Sequence, residues 1–414
     1  MAESPPVALY VHVPFCVSHC PYCDFVVVAG RDARGPANRI GAFVAALETE
    51  LHLRADALDA RWGAAGSRPH LVSLYFGGGT PSLLPAMTIA RLIRLVRARF
   101  GLANDAEVTL EVNPGSDERG DPRAQVDAGV TRLSIGAQSF DADELRALGR
   151  RHEAADVVAT VAAARSAGIP SISLDLLYDV PGGSLRAWAR TLDRALALAP
   201  DHLSLYALTL DDPDDEGITG AAGDHLPIRP GARRWRERAR PRQDEDRAAA
   251  MYELADRRLA AAGFDWYEIS NWARPGHRSR HNLAYWRHLA YEAVGPGAHA
   301  FDGATRRWNA ARLDRYIAAL VPADGTAASF PPGGIEELRD ADATFEATML
   351  ALRTADGLAA SSTDRATWAV IELQLAEPFD AGLLDRTPDG GLALTLRGRL
   401  LSNEVFGRLL PAAR

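Results

Sequence analysis

Residues 7–25 read Val7-Ala-Leu-Tyr10-Val-His-Val-Pro-Phe-Cys16-Val-Ser-His-Cys20-Pro-Tyr22-Cys23-Asp-Phe25. The first half is an apolar, β-rich run that reads as a strand. Its end delivers all three cysteines of the 414-residue chain inside eight residues. A disulfide framework is excluded, because a bridge in so short a loop leaves one thiol over. Three thiolates on one tight loop suit a soft, thiophilic metal centre. Zinc in a structural site wants four protein ligands, and nearby only His19 or Asp24 completes such a set. A [4Fe–4S] cluster held by three cysteines is different in kind: one iron stays open to an outside ligand. That open iron is the chemistry the spacing favours.

Bulk composition bounds the rest. The hydrophobic share of 47% is that of a globular chain, and 414 residues exceed what one core usually supports, so two domains are expected. A net charge of −8 gives no electrostatic case for nucleic acid or an anionic membrane. No run of about 18 apolar residues appears, and no basic-then-apolar leader opens the chain. Unbridged cysteines fit a reducing, cytoplasmic setting; association with a membrane surface stays compatible with all of this.

Outward from the cysteine loop, strands and helices alternate. Continuous apolar runs read as buried strands at 9–13, 71–76, 108–112, 133–137, 172–177 and 203–208. Helix-length amphipathic or Ala/Leu/Arg-rich stretches fill 39–58, 87–99, 122–128, 153–167 and 185–198. The pattern calls for a parallel α/β sheet covered by helices. Six βα units are too few for a closed eightfold barrel, so an open, partial (β/α)6 TIM-like barrel is expected. In such sheets the chemistry sits at the C-terminal ends of the strands.

Polar motifs occupy those ends. Phe76-Gly-Gly-Gly-Thr80-Pro-Ser lets backbone amides approach a ligand closely, or is simply a tight turn; no GxxxxGK[ST] pattern makes it a phosphate loop. Glu111 finishes the third strand, and an unpaired carboxylate there would be expensive to bury. Gln138 and Asp175 close the fourth and fifth.

The wording Tyr-Val-His-Val-Pro-Phe-Cys…Cys-Pro-Tyr-Cys-Asp-Phe resembles the radical S-adenosylmethionine (SAM) superfamily. Within it the chain is similar to the branch that holds oxygen-independent coproporphyrinogen III oxidases and heme chaperones of the HemW type, from about Leu9 to Leu410. The resemblance implies the same (β/α)6 architecture, with a [4Fe–4S] cluster on Cys16, Cys20 and Cys23 and SAM on the open iron. It implies that Gly78, Gly79 and Thr80 meet the SAM amino group, and that Tyr10, Tyr22, Glu111, Gln138, Arg150 and Asp175 line the rest of the pocket. Arg151 competes with Arg150, one residue away. The family commonly has Tyr-Gly-Leu-Pro-Gly where this chain has Tyr178-Asp-Val-Pro-Gly182, which puts the detail of that loop in doubt.

After the sixth strand the character changes. Residues 211–247 begin acidic (Asp211, Asp212, Asp214, Asp215, Glu216), turn arginine-dense, and read as a solvated connector. The division expected is therefore 1–243, a radical SAM core ending in this connector, and 244–414, a cap domain. Further on, His281-Asn-x-x-Tyr-Trp286 gathers an imidazole, an amide and two aromatic rings. Imidazole ligates iron and flat rings suit a porphyrin, although such a histidine is more often a packed or hydrogen-bonded residue. The motif resembles one typical of HemW-type chaperones, which implies heme as a cofactor with His281 as its leading contact. His299, in Val294-Gly-Pro-Gly-Ala-His, is the second choice. Residues 335–414 read as a helix-rich, winged-helix-like module over the barrel mouth.

Two functions follow from the resemblance. One is a heme chaperone that hands heme to acceptor hemoproteins such as respiratory-chain components, the family also permitting a homodimer. The other is a coproporphyrinogen III oxidase that decarboxylates propionates by a radical route. The oxidases extend the cluster motif to CxxxCxxCxC; here that last position is Phe25. Together with the His281 motif, this favours the chaperone and leaves oxidase activity unexpected.

Overall fold

The computed structural model describes residues 3–210 and 223–410; the acidic opening of the connector lies outside them. Six parallel strands form the centre: β1 (Ala8–Val13), β2 (Leu71–Gly78), β3 (Leu102–Val112), β4 (Arg132–Gln138), β5 (Ser171–Tyr178) and β6 (His202–Ala207). Between them run α1 (Ile40–Trp62), α2 (Ala86–Phe100), α3 (Pro122–Ala128), α4 (Ala142–Ala147), α5 (Ala154–Ala167) and α6 (Leu185–Ala197). α4 was not expected; its six residues are too few to show a helical period, but Asp141 caps it by accepting from Asp143 N and Glu144 N.

The strands are not apolar on both faces. Leu74, Phe76, Val108, Leu110, Leu133, Ile135, Ile172, Leu174, Leu203 and Leu205 point to the helices and form one core with Phe43, Leu47 and Leu51 of α1. Each such side chain stabilises the fold by about 1.5–3 kcal/mol on burial. The alternate positions carry Ser73, Tyr75, Thr109, Glu111, Ser134, Ser173, Asp175, Ser204 and Tyr206, in register across the sheet. The helices between the strands cover the outer face. The inner face surrounds a cavity, so period-two alternation replaces the continuous run.

Beyond β6 the sheet continues. β7 (Asp265–Glu268) and β8 (Asn271–Ala273) add at one edge, with β8 antiparallel to β6. β9 (Tyr291–Val294) runs parallel to β1 and is followed by β10 (His299–Phe301), β11 (Thr305–Asn309) and β12 (Gly333–Glu337). The sheet is twelve-stranded and open. Two helices follow the undescribed part of the connector, α7 (Pro230–Ala239) and α8 (Glu245–Ala261); α9 (Arg280–Trp286) lies across the strand starts.

The C-terminal residues build a second core from Leu352, Leu358, Ile371, Leu375, Leu384, Leu392, Leu394, Val405 and Phe406. It comprises helices and a hairpin pairing Leu384–Arg386 with Leu392–Leu394. This module does not cover the mouth. Ala355 N donates to Tyr267 O, Thr354 bridges Glu268, and Arg353 lies over Trp286 at 5.3 Å. Those contacts place it at the α9 end, opposite the cysteine loop. Among the described residues no helix is long and apolar enough to cross a membrane.

Candidate functional site

The cysteine loop leaves the C-terminal end of β1 and is held from both sides. Thr80 Oγ1 donates to Cys16 Sγ at 3.6 Å and Arg150 Nη1 to Cys20 Sγ at 3.7 Å. From below, the buried guanidinium of Arg236 on α7 donates to Tyr22 O at 2.9 Å and pairs with Asp24. The arginine-dense stretch is thus not only a solvated connector: one of its arginines locks the loop. Nothing in the sequence signals this, because the partners are more than two hundred residues apart.

Cys16, Cys20 and Cys23 line one cavity of about 430 Å3 together with Tyr22, Gly78, Gly79, Glu111, Gln138, Arg150 and Asp175. Gly79 is obligatory: a Cβ there would come within 2.6 Å of Phe15 O. Gln138 sits in the left-handed region at φ 63°, an uncommon conformation for a side-chain-bearing residue and one that concentrates at functional sites. Arg150 and Arg151 both line the cavity, but only Arg150 reaches the cysteine loop; its Nη2 meets Asn113 Oδ1 at 2.5 Å and Gly136 O at 2.9 Å. Arg151 is paired with Glu118 and Asp117 at 3.1 Å each. Burial opposes the charge of Arg150, but the facing Tyr22 and Cys20 outweigh it and hold the cation firmly protonated.

Glu111 is the pivot of the wall. Tyr75 Oη donates to its Oε1 at 2.8 Å and Gly78 N to its Oε2 at 3.0 Å. Burial nevertheless pushes its pKa up to about 7, assisted by the charge of Asp175. Asp175 is also raised by burial, against the pull of Ser134, which donates at 2.9 Å. Two carboxyls on one wall suit a ligand with cationic groups.

Three expected residues stand behind this wall instead of on it. Thr80 spends its hydroxyl on Cys16. Tyr10 is stacked on Tyr75 at 6.0 Å and shares a proton with His12 Nδ1 at 3.1 Å. His281 is fully buried, with Nδ1 on Ser73 Oγ at 2.9 Å and Nε2 on Tyr285 Oη at 2.7 Å. Burial lowers its pKa to about 3, so it is neutral. The member of its motif on the cavity surface is Asn282. Tyr75 and Asn113 were missed by the sequence reading. The polar–apolar alternation Ser73-Leu-Tyr75-Phe was a usable signal for the former.

Three thiolates on one loop fit a [4Fe–4S] cluster with one iron left open. Of the two candidate fourth ligands for zinc, Asp24 is committed to Arg236, whereas His19 keeps a buried Nε2 with no hydrogen-bond partner among the described residues. A cubane takes its thiolates farther apart than a single ion does. Burial raises Cys16 to about 11 and Cys23 to about 12, so their thiolate forms call for a strongly electropositive partner. Cys16, Cys20 and Cys23 would hold the cluster, which would supply one open iron for an outside ligand; Gly78, Gly79 and Glu111 line the same cavity. Phe25 closes the loop with 65% of its surface exposed at the cavity mouth.

A family model for the Radical SAM superfamily matches residues 10–195. The chain is 39% identical over 406 residues to a protein of Mycobacterium tuberculosis named heme chaperone HemW, covering 98% of this chain and 95% of that relative. Against heme chaperone HemW of Bacillus subtilis the identity is 30% over 407 residues, covering 97% and 98%. Among solved structures, coproporphyrinogen III oxidase (HemN) from Escherichia coli, a radical SAM enzyme, matches with a TM-score of 0.77 at 24% identity, covering 98% of this chain and 90% of that one. This last likeness speaks for the fold: a partial TIM-like barrel with a helical C-terminal part.

Proposed function

Because the chain belongs to the HemW family of the radical SAM superfamily, we propose that it is a heme chaperone, carrying heme to an acceptor hemoprotein with a [4Fe–4S] cluster and SAM as its resident cofactors. The observation that supports this most is similarity over nearly the whole length, C-terminal module included, to proteins named for that role. Cys16, Cys20 and Cys23 hold the cluster. Gly78, Gly79, Glu111, Gln138, Arg150 and Asp175 orient SAM, with Glu111 set for its amino group beside the close-approach glycines. Arg150 stabilises thiolate charge at Cys20.

The heme contact assigned to His281 carries a structural condition. Both of its ring nitrogens are bonded and Tyr75 covers its face. Heme iron reaches this imidazole only if α9 shifts and the bond to Ser73 or to Tyr285 breaks. The reading therefore includes a rearrangement of α9 on loading. Acceptors such as respiratory-chain hemoproteins, contact with a membrane surface and dimerisation belong to the same proposal.

Turnover tests it. Cluster-loaded protein is incubated anaerobically with SAM, a reductant and coproporphyrinogen III, and protoporphyrinogen IX is followed. Absence of product from protein shown to bind SAM is expected. Product at a rate well above a cluster-free control would make the protein an oxidase.

A further inference from the structure

Tyr75 touches both the cavity wall and the His281 helix. Its hydroxyl donates to Glu111 on the cavity wall at 2.8 Å. Its ring lies on His281 with centroids 4.9 Å apart and 29° between planes. From His281 the contacts continue within α9: Nε2 meets Tyr285 Oη, and Trp286, one residue on, packs under Arg353 of the C-terminal module. Tyr75 itself cannot drift, because Tyr10 stacks on it and its backbone lies in a central parallel strand. A change at Glu111 therefore has a short, packed route to α9.

We propose that Tyr75 is a positioning residue that sets the Glu111 carboxylate for the SAM amino group and couples that pocket to the His281 helix. The proposal rests on the cofactor reading above. A cationic amine beside Glu111 favours its ionised form, and a carboxylate is a stronger acceptor for the Tyr75 hydroxyl than a carboxylic acid. The tightened bond fixes the ring against His281. Ligand binding in the cavity is thereby read out as rigidity of α9, at the opposite end of the barrel from the cysteines.

The test is hydrogen exchange of the peptide spanning 279–288 in cluster-loaded protein, with and without saturating SAM. In the parent, SAM should slow exchange of this peptide by about threefold or more. Tyr75→Phe keeps the ring and the fold but loses the hydroxyl. It should bind SAM about tenfold more weakly, as for loss of a hydrogen bond to a charged group. At saturation it should leave α9 exchange unchanged. The proposal is overturned if α9 in the parent is silent while SAM is bound, or if Tyr75→Phe transmits the same protection. No heme is involved, so failure of heme binding would remove the chaperone reading and leave this coupling standing.

Discussion

Arg150 donates through Nη1 to the Sγ of Cys20 at 3.7 Å, so a buried cation meets a cysteine of the cluster loop directly. Its neighbour Arg151 has no such contact. Arg150→Met should weaken SAM affinity about tenfold and lower iron retained after desalting, the usual scale for a charge-assisted contact. Arg151→Met should weaken it less, about threefold or below, since it removes an exposed pair with Asp117 and leaves the buried Glu118 still bonded to Asn113. Titration of both reconstituted variants decides which arginine belongs to the site.

The loop depends equally on Arg236. Replacing it with alanine strips the Tyr22 carbonyl of a charged donor and the exposed Asp24 of its partner. The expected cost is about 1–2 kcal/mol, mostly from the hydrogen bond to Tyr22. It should appear as a lower urea midpoint and as faster loss of the 400 nm cluster absorbance. Unchanged cluster lifetime would mean that α7 does not brace the cysteines.

Asp179 adopts φ 55°, a backbone conformation that favours glycine. Its carboxylate accepts from Arg247 Nε at 2.8 Å and from Asp244 N at 3.3 Å, which offsets the strain. Asp179→Gly trades the ion pair for backbone ease, whereas Asp179→Ala loses the pair and keeps the strain. Alanine should therefore be less stable than glycine by about 1 kcal/mol. Equal urea midpoints would remove backbone strain from the account.

Buried histidines and a buried carboxyl pull stability in opposite directions between about pH 3 and 7. Buried His12 and His152, each lowered to about 4, and His281, lowered to about 3, stay neutral in the fold. The unfolded chain binds their protons first, so stability drops as pH falls from about 6.5 toward 4. Glu268 is raised to about 7 by burial and keeps its proton in the fold while the unfolded chain releases it near 4.5. Its share of stability is lost as pH rises from about 4.5 through 7. Glu268→Gln should thus raise the thermal midpoint at pH 8 and leave it nearly unchanged at pH 4.5. A uniform shift at both pH values would contradict the assignment.

The barrel was legible because its strands and helices are local and carry their own periodicity; the expected and observed strands overlap throughout. The inner wall was less legible. Ser134, Ser173 and Ser204 interrupt apolar runs too mildly to reveal a lumen, yet Ser134 lies opposite Ser173 and Ser204 opposite Asp175 on the same inner face. His281 looked available because its motif was read along the chain, whereas its partners Ser73 and Tyr75 come from a distant strand. Placement of the C-terminal module is also a long-range matter. Arg353 over Trp286 joins segments whose sequence carries no mark of the pairing.

The central claim is that this chain carries heme, and a hemin titration of the cluster-loaded protein addresses it most directly. The Soret band should shift and saturate at a single heme per chain, with His281→Ala weakening binding or altering the band. Linear, unsaturated absorbance indistinguishable from hemin in buffer would contradict the account.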